Sequence, residues 1–472
     1  MQQLLDRSWL ALGMLFLRLP RHLLRYNLAM LARITLKNFK LHKSSEIEAG
    51  PLTVLIGPNN SGKSSIFQAL LLLRQSVLSN QDVLLNPVPR QSTNQDQPFL
   101  YDPRQQVDPG SFQDILHSSE REIGFEITGR LDDQDPRYGG HRHVHIALGF
   151  RDNQASYHTG KLSFEVNAEA GERTLPWTWA QGPMAGTPQQ SSMGLLGTNF
   201  LFSAVDYPQI LHGQGFSGGP ANDPAQAVEL SLFQTRLAQM PNSLLRSVHP
   251  VYPLRGLEES GYPVTMGPEE NIDRTMLSDR TLALLSVLAY RNDVLDQVSS
   301  WLENLIQVRV RTKLVPPRRV TIICEPAGRK SRRSGLFSNE GTGASQLPFI
   351  LLPIALCPSG ETMMMSEPEA HLHPRAQSDL ARLFIRIWAA EKKQLLIETH
   401  SEHILNTLLH AVAKGDLKKE DLAIYYFEPQ NGIAHVRRLV VDDYGRVEGG
   451  LPGFFDQSLT ELTDYLETLK KK

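Results

Sequence analysis

The sequence is short of cysteine, of net charge and of long apolar runs. Its 472 residues include only Cys324 and Cys357, which are too few for a disulfide framework and lack metal-ligand spacing. The formal net charge is −2, so no global positive field attracts nucleic acid or anionic lipid, and any basic surface must be local. Heptads, internal repeats and low-complexity tracts are missing, which excludes a long coiled coil. The composition is that of a globular protein of roughly two or three domains, expected in the reducing cytoplasm.

The first 29 residues carry no targeting or membrane signal. The apolar run from Trp9 to Leu17 has about half of the roughly 20 residues that a membrane span requires. No basic cluster precedes it and no small-residue cleavage site follows it, so we expect no membrane partner. Two explanations stay open for residues 1–29. Translation begins at Met30, which we favour, or the segment is an amphipathic extension that docks on the core or on a partner.

The rest of the chain alternates strand and helix patterns. Leu52–Ile56 is a continuous apolar run, typical of a buried parallel strand, and a helix is predicted from Ser64 to Leu73. Alternating apolar residues predict antiparallel strands over 122–166. Further predictions are loops over 85–110 and 170–222, helices over 224–240 and 278–306, strand over 308–325, and alternating strand and helix from there to the end.

A glycine-bounded loop follows the buried strand. Residues 57–64 read Gly-Pro-Asn-Asn-Ser-Gly-Lys-Ser, which is the spacing of a phosphate-binding P-loop. Because a strand precedes it and a helix follows it, the loop's N–H groups and the positive end of the helix face one anion. The strand before and the helix after also disfavour a chance glycine-rich turn. Lys63 supplies a mobile positive charge and Ser64 a hydroxyl for Mg²⁺. The residues expected to contact ATP are Asn59, Asn60, Ser61, Gly62, Lys63, Ser64 and Ser65.

Two more motifs begin where a predicted strand ends. Glu367 follows the apolar run Thr362–Met365, and carboxylates at such strand ends lie in the ligand crevice, where Glu367 can orient or deprotonate the water that attacks the γ-phosphate. His400 follows Leu395–Ile397 and can report whether the γ-phosphate is present. The acidic pair Glu367 and Glu369 has an alternative role as charge complement to a helix over 376–388, and an isolated histidine is usually structural. The P-loop upstream favours the functional interpretation of both.

A second glycine-rich segment, Gly341–Gln346, precedes a helical run over 347–356. Glycines and a serine at a helix start form an anion-binding end, so Gly343, Ser345 and Gln346 are candidate nucleotide contacts. The alternative is a linker capped by Ser345.

These four motifs, in this order, make the chain resemble the ABC-type ATPases of the RecF, SMC and OLD group. The likeness is tightest to short bacterial ATPases of the group that end in a segment of unknown function, and it covers roughly residues 30–125 and 245–460. It is carried by Ile34–Lys40, Leu52–Ser65, Glu369–Pro374, Glu398–His403 and Gly453–Asp456.

The resemblance implies an α/β fold: an ABC-type ATPase head with a mixed sheet, an antiparallel β lobe and a short helical insertion in place of a long coiled coil. The expected divisions are an N-terminal extension (1–29), an N-terminal ATPase lobe with the P-loop and β subdomain (30–220), a helical insertion (221–310) and a C-terminal ATPase lobe (311–472).

The resemblance also implies a homodimer that encloses two ATP molecules. Lys63 and Ser64 of one subunit would then face the signature segment Gly343–Gln346 of the other. His400 takes the place of the switch histidine. Gln113 is the candidate for the glutamine that senses Mg²⁺ and the attacking water.

One position departs from the group. Ser366 stands where the group has an acidic residue at the end of the Walker B strand, directly before Glu367. With no carboxylate there, the hold on Mg²⁺ is weaker, so we expect an ATPase that binds ATP normally and hydrolyses it slowly. If Ser366 abolishes hydrolysis altogether, the protein is purely structural.

The sequence carries no recognisable effector chemistry. The last ATPase element is expected to end near Phe427, which leaves too few residues for a nuclease fold of the kind that some relatives carry. The leading hypothesis is a sensor or scaffold for a separate effector, a nuclease in bacterial anti-phage defence, and it rests on family analogy. The alternative is a RecF-like DNA-binding ATPase in repair or recombination, favoured by the basic segment Arg329–Arg333.

Overall fold

The fold is taken from a computed structural model of the full chain. It describes residues 28–78, 112–117, 121–133, 140–151, 157–166, 173–179, 244–251, 262–263, 287–316, 319–327, 334–337 and 341–450. The predictions for 85–110 and 224–240, the basic segment 329–333 and the motif at 453–456 lie outside these residues, as do residues 1–27.

The described chain contains both strands and helices. The strands are β1 (Leu28–Phe39), β2 (His42–Glu48), β3 (Leu52–Ile56), β4 (Glu122–Asp133), β5 (Gly140–Arg151), β6 (Tyr157–Val166), β7 (Arg173–Trp179), β8 (Val248–Val251), β9 (Tyr262–Pro263), β10 (Val308–Val315), β11 (Arg319–Pro326), β12 (Gly335–Leu336), β13 (Thr362–Ser366), β14 (Gln394–Glu398), β15 (Leu422–Gln430) and β16 (Ile433–Leu439). The helices are α1 (Lys63–Leu78), α2 (Phe112–Ile115), α3 (Asn292–Ile306), α4 (Thr342–Leu356), α5 (Pro374–Glu391) and α6 (Glu402–Lys414), with a 3₁₀ turn at Lys419–Asp421.

A mixed six-stranded sheet organises the molecule, in the order β16-β15-β3-β14-β13-β8. The strands from β15 to β8 run parallel, and β16 is antiparallel to β15. Every residue of β3 and β14 is buried, as expected for strands covered on both faces. The carboxyl ends of β3, β14 and β13 therefore meet at one edge of this sheet.

Two antiparallel sheets complete the fold. One has the order β2-β1-β4-β5-β6-β7, and its β2 alternates buried and exposed residues because one face packs on the core. Phe39 and Phe125 lie edge to face in that core, with ring centroids 5.3 Å apart. The other sheet joins β10, β11 and β12, with β9 beside β11. Together these sheets confirm the predicted mixed α/β fold with an antiparallel lobe.

Several predicted elements are confirmed, with shifted ends. The helix predicted to begin at Ser64 is α1, which extends to Leu78, and the antiparallel strands predicted over 122–166 are β4, β5 and β6. The strand predicted over 308–325 is the β10–β11 hairpin. The first strand begins at Leu28. The division into lobes stays a prediction.

Three predictions are corrected by the structure. Residues 173–179 form β7, where a loop was expected; β7 has a neighbour on one side only, and an edge strand tolerates Pro176. The helix expected over 278–306 is interrupted at Arg291, whose backbone is not helical. Strand structure continues past Phe427 through β16.

None of the helices in the described part of the chain is both long and apolar enough to cross a membrane. Cys324 and Cys357 are both buried, and neither belongs to a disulfide.

Candidate functional site

The carboxyl edge of the mixed sheet gathers most of the predicted site residues. The P-loop leaves β3 at Ile56, Glu367 follows β13, and His400 comes two residues after the end of β14. Because β14 lies between β3 and β13, the three strand ends are neighbours in space, although the end of β3 comes 310 residues before the end of β13 in sequence.

The P-loop begins at a position that only glycine fits. Gly57 has φ +144°, and a Cβ there would lie 2.3 Å from the carbonyl oxygen of Phe427 on β15. The backbone of the loop therefore packs directly against the neighbouring strand. This close approach fixes the start of the loop. Because Gly57 has no side chain, nothing at this position blocks a ligand.

Lys63 is folded back over the P-loop. Its Nζ donates to the carbonyl oxygens of Gly57 at 2.9 Å and Pro58 at 2.7 Å. Burial lowers the pKa of Lys63, and the carboxylates of Glu398 and Glu367 oppose this shift. The ammonium group is thus hydrogen-bonded to loop carbonyls and feels the charge of two carboxylates, and a phosphate would be an additional counter-charge.

The remaining P-loop residues divide by exposure. Asn59, Asn60 and Ser64 are exposed, whereas Ser61 and Ser65 are buried within the loop and α1. The exposed members lie at or just before the amino end of α1. This end of a helix attracts anions.

His42 is a part of the site that sequence reasoning missed. This fully buried side chain lies with Nε2 2.9 Å from the carbonyl oxygen of Gly62 and with Nδ1 2.8 Å from Ser45 Oγ. Its ring meets Phe427 edge-on. The sequence offered no signal, because His42 comes 15 residues before the loop and is one of 15 histidines.

Glu367 and His400 approach each other across the site. His400 Nε2 lies 3.8 Å from Glu367 Oε1, and the side chains are 35% and 44% exposed, so both are accessible to a ligand. Glu367 has φ +45° and donates its backbone N–H to the carbonyl of Glu398 at 2.8 Å. Burial lowers the pKa of His400, as does Lys63, while Glu367 opposes the shift. A neutral imidazole at neutral pH follows.

Glu369 ties the segment after β13 to the segment after β14. It is buried, and its Oε1 accepts hydrogen bonds from Thr399 Oγ1 at 2.6 Å and from the backbone N–H of His400 at 3.0 Å. Helix α5 is capped instead by His373, whose Nδ1 accepts from the N–H of Arg375. The alternative role of the acidic pair as charge complement to that helix therefore has no support in the capping contacts.

Glu398 is the second residue that sequence reasoning left without a role. Its carboxylate accepts from Ser64 Oγ at 2.5 Å through Oε1 and from Ser366 Oγ at 3.0 Å through Oε2. Burial raises the pKa of Glu398, while the two hydroxyl hydrogen bonds and the charge of Lys63 oppose this. The sequence shows that Ser366 leaves a carboxylate missing, but only the fold shows that Glu398 ends the adjacent strand at the same level.

The signature segment packs on the chain that follows β13. A Cβ on Gly343 would lie 2.2 Å from the carbonyl oxygen of His371. Ser345 and Gln346 are both buried within the subunit, and Ser345 lies inside α4, where its N–H bonds to the carbonyl of Gly341. Ser345 therefore does not cap the helix. The nucleotide contacts predicted for Gly343, Ser345 and Gln346 stay predictions.

Gln113 lies in the short helix α2, with its side chain exposed. This segment is held beside the β1–β2 turn, where the N–H of Lys40 donates to the carbonyl of Ile115 at 2.7 Å. Lys40 Nζ in turn donates to Gln68 on α1 at 2.6 Å. The segment is thus linked to the helix that follows the P-loop, and the metal-sensing role of Gln113 stays a prediction.

A separate group of metal-ligand types lies at the opposite end of β13. His249, Cys357 and Glu361 each offer an atom within 4.8 Å of the others. His249 Nε2 lies 2.5 Å from Glu361 Oε2, and Cys357 Sγ donates to the carbonyl of Pro358 at 3.5 Å. The His249–Glu361 hydrogen bond and the thiol hydrogen bond are thus contacts made within the fold.

The residues at the carboxyl edge fit ATP with Mg²⁺. The glycine-bounded loop, Lys63 and the amino end of α1 provide the charge and the N–H groups that a triphosphate requires. The Ser64 hydroxyl, joined to the Glu398 carboxylate, provides hard oxygen donors of the kind that Mg²⁺ prefers.

The chain matches two protein families. Residues 30–134 and 276–405 match the family described as AAA ATPase domain, and residues 417–464 match the family described as Protein of unknown function (DUF3696). No curated protein matches the chain.

Solved structures of SMC heads are similar at low identity. The SMC head domain from Thermotoga maritima is 12% identical, with 86% of this chain and 98% of that chain covered and a TM-score of 0.38. The Smc head domain from Pyrococcus furiosus, with an extended coiled coil and bound to the C-terminal domain of ScpA, is 12% identical, with 94% and 100% covered and a TM-score of 0.40.

Proposed function

We propose, on the premise that this chain is an ABC-type P-loop ATPase carrying the AAA ATPase domain, that it is a slow ATP-hydrolysing switch that dimerises around ATP and Mg²⁺. The observation that carries the proposal is the convergence of the P-loop, Glu367 and His400 at one sheet edge. Glu367 would orient or deprotonate the attacking water, and His400 would contact the γ-phosphate. When bound, Mg²⁺ would neutralise charge on the phosphates.

The exposure of the site supports dimerisation. Asn59, Asn60, Ser64 and His400 are all solvent-accessible, so a nucleotide bound to them would keep one face open. Efficient hydrolysis needs bulk water, as distinct from the attacking water, to be excluded from that face. A second subunit can cover it. Because Ser345 and Gln346 are buried, we infer that the covering contact would use the exposed amino end of α4 around Gly341.

The effector is proposed to be a separate polypeptide. We take it to be a nuclease acting in antiviral defence, a step that rests on family analogy. Purification from the native host tests it, because the ATP-locked Glu367→Gln protein should retain a partner that the Lys63→Ala protein loses. The proposal would be contradicted if both variants co-purified with the same proteins and if deletion of the gene left defence intact.

The alternative function is that of a RecF-like DNA-binding ATPase. The feature that favours it is the basic segment 329–333, which lies outside the described residues. DNA that stimulates ATP turnover, with an effect that falls steeply as salt is raised, would support this function. Turnover indifferent to DNA would support the effector-controlling switch.

Nucleotide binding and turnover test the core of the proposal directly. Lys63→Ala should abolish ATP binding, whereas Lys43→Ala, which removes an exposed lysine of β2, should leave it unchanged. Steady-state turnover of tens per second or more would contradict the slow switch. Equal ATP binding by both variants would contradict the assignment of the P-loop as the ATP-binding site.

A further inference from the structure

A serine and a glutamate occupy paired positions on the neighbouring strands β13 and β14, and β14 lies beside the P-loop strand β3. Ser366 ends β13 and Glu398 ends β14, and the two residues are register partners in the parallel ladder. Glu398 is also in register with Leu55 on β3. The carboxylate that is missing from β13 is therefore present at the same level of the sheet, one strand closer to the P-loop.

The Glu398 carboxylate bridges the two hydroxyls that flank it. Oε1 accepts from Ser64 Oγ at 2.5 Å, and Oε2 accepts from Ser366 Oγ at 3.0 Å. Ser64 is the P-loop residue whose hydroxyl is placed to coordinate Mg²⁺. The carboxylate thus lies one hydrogen bond from a metal-ligand position, and Ser366 orients it from the other side.

The burial of this carboxylate needs a compensating charge. Glu398 is only 2% exposed, and an ionised carboxylate in such a place is costly unless it is paired. Lys63, a nearby cation that acts on Glu398, donates hydrogen bonds to the carbonyl oxygens of Gly57 and Pro58 and to Ser61 Oγ. A divalent cation at Ser64 would supply the missing charge.

We propose that Glu398 is the carboxylate that holds Mg²⁺ in this ATPase, acting through Ser64 from β14 in place of the acidic residue absent at Ser366. The inference rests on the proposed function, and it assigns to Glu398 a positioning role in the metal site. It also means that Ser366 costs the protein little metal affinity. The slow turnover proposed above then comes from the lifetime of the ATP-bound dimer and not from a loss of Mg²⁺.

Calorimetry of ATPγS binding, with Mg²⁺ and with EDTA, tests the assignment on the full chain. Wild-type protein should bind more tightly with Mg²⁺. Glu398→Gln should lose about 10–100-fold of that gain, as expected for a residue that orients a metal ligand, and should bind as wild type does in EDTA. Glu367→Gln, which alters the carboxylate that directly follows Ser366, should keep the gain, as should the exposed Glu420→Gln.

A swap variant separates a metal role from a structural one. Ser366→Asp combined with Glu398→Gln should regain most of the Mg²⁺-dependent gain, because the carboxylate returns to β13. Binding in EDTA reports whether each variant folds. Should Glu398→Gln fail to fold, Glu398→Asp, which keeps the charge and withdraws the carboxylate from Ser64, is expected to show the same loss.

The outcomes are distinct. A full Mg²⁺-dependent gain in a folded Glu398 variant, or its loss in Glu367→Gln, overturns the assignment of Glu398. A swap variant that folds and does not recover the gain overturns the relocation from β13. Wild-type protein that binds no ATPγS in either condition contradicts the proposed function itself.

Discussion

The imidazole of His42 holds the P-loop at the carbonyl of Gly62, with Nε2 and the carbonyl oxygen 2.9 Å apart. Burial lowers the pKa of His42, so the ring is neutral at neutral pH. A carbonyl can only accept, so Nε2 carries the proton, and Nδ1 accepts from the hydroxyl of Ser45. The β1–β2 hairpin thereby fixes the tautomer of the residue that positions the loop.

Replacing His42 should weaken nucleotide binding indirectly, through the position of the P-loop. His42→Ala leaves the Gly62 carbonyl and the Ser45 hydroxyl without this partner, at a cost of about 1 kcal/mol or more, or about fivefold in affinity. Titration with a fluorescent ATP analogue measures the change. The exposed His410→Ala is the control. Equal affinity in His42→Ala and wild type would show that the hairpin does not position the loop.

Two glycines at the start of α4 should differ in their response to the same substitution. A Cβ on Gly343 would meet the His371 carbonyl at 2.2 Å, whereas a Cβ on Gly341 meets nothing within 4 Å. Gly343→Ala should therefore lower the free energy of unfolding by about 1–3 kcal/mol, in the range of overpacking, and Gly341→Ala should change it little. Urea unfolding without nucleotide measures both. Similar losses in the two variants would contradict the packing described for Gly343.

Glu367→Gln should separate ATP binding from ATP hydrolysis. The amide keeps the size of the side chain but cannot accept the proton of the attacking water, so turnover should fall about 10²–10⁴-fold while ATP still binds. Phosphate release and nucleotide titration measure the two steps, with the exposed Glu428→Gln as control. Unchanged turnover would remove Glu367 from the catalytic role.

The buried Glu369 should make stability depend on pH. Burial raises the pKa of Glu369 above its ordinary value, and its hydrogen bonds, from Thr399 first, oppose the shift. The folded protein thus holds this proton more tightly than the unfolded chain does. Its contribution to stability is full below the unfolded pKa of about 4.3 and is lost as pH rises through the higher folded pKa.

Glu369→Gln removes that titration, so its unfolding free energy should fall less steeply with pH than that of wild type. Urea unfolding at a series of pH values gives the two curves. Parallel curves for wild type and Glu369→Gln would falsify the assignment. The surface variant Glu420→Gln should follow wild type.

Local patterns predicted the strand, P-loop and helix because each depends on neighbouring residues. The apolar run of β3 and the glycine spacing after it specify their own conformation. β7 was missed because Pro176 argues against a strand unless the strand lies at a sheet edge, and the sequence does not say which strands are edges. The interruption at Arg291 has no signal in the helical periodicity.

The role proposed for the Glu398 carboxylate could not be read from the sequence for a different reason. Glu398 reaches Ser64 because β14 lies between β3 and β13 and because its last residue is level with Ser366. Strand order and register are tertiary properties. Glu369 and His42 likewise gain their roles from burial against distant segments.

The most direct test of the ATP-dependent switch is particle mass, measured by mass photometry on wild type, Glu367→Gln and Lys63→Ala with and without ATP and Mg²⁺. The account predicts that ATP doubles the mass of wild type, that Glu367→Gln stays doubled for longer, and that Lys63→Ala does not respond. A particle mass that does not change with nucleotide in any of the three proteins would contradict it.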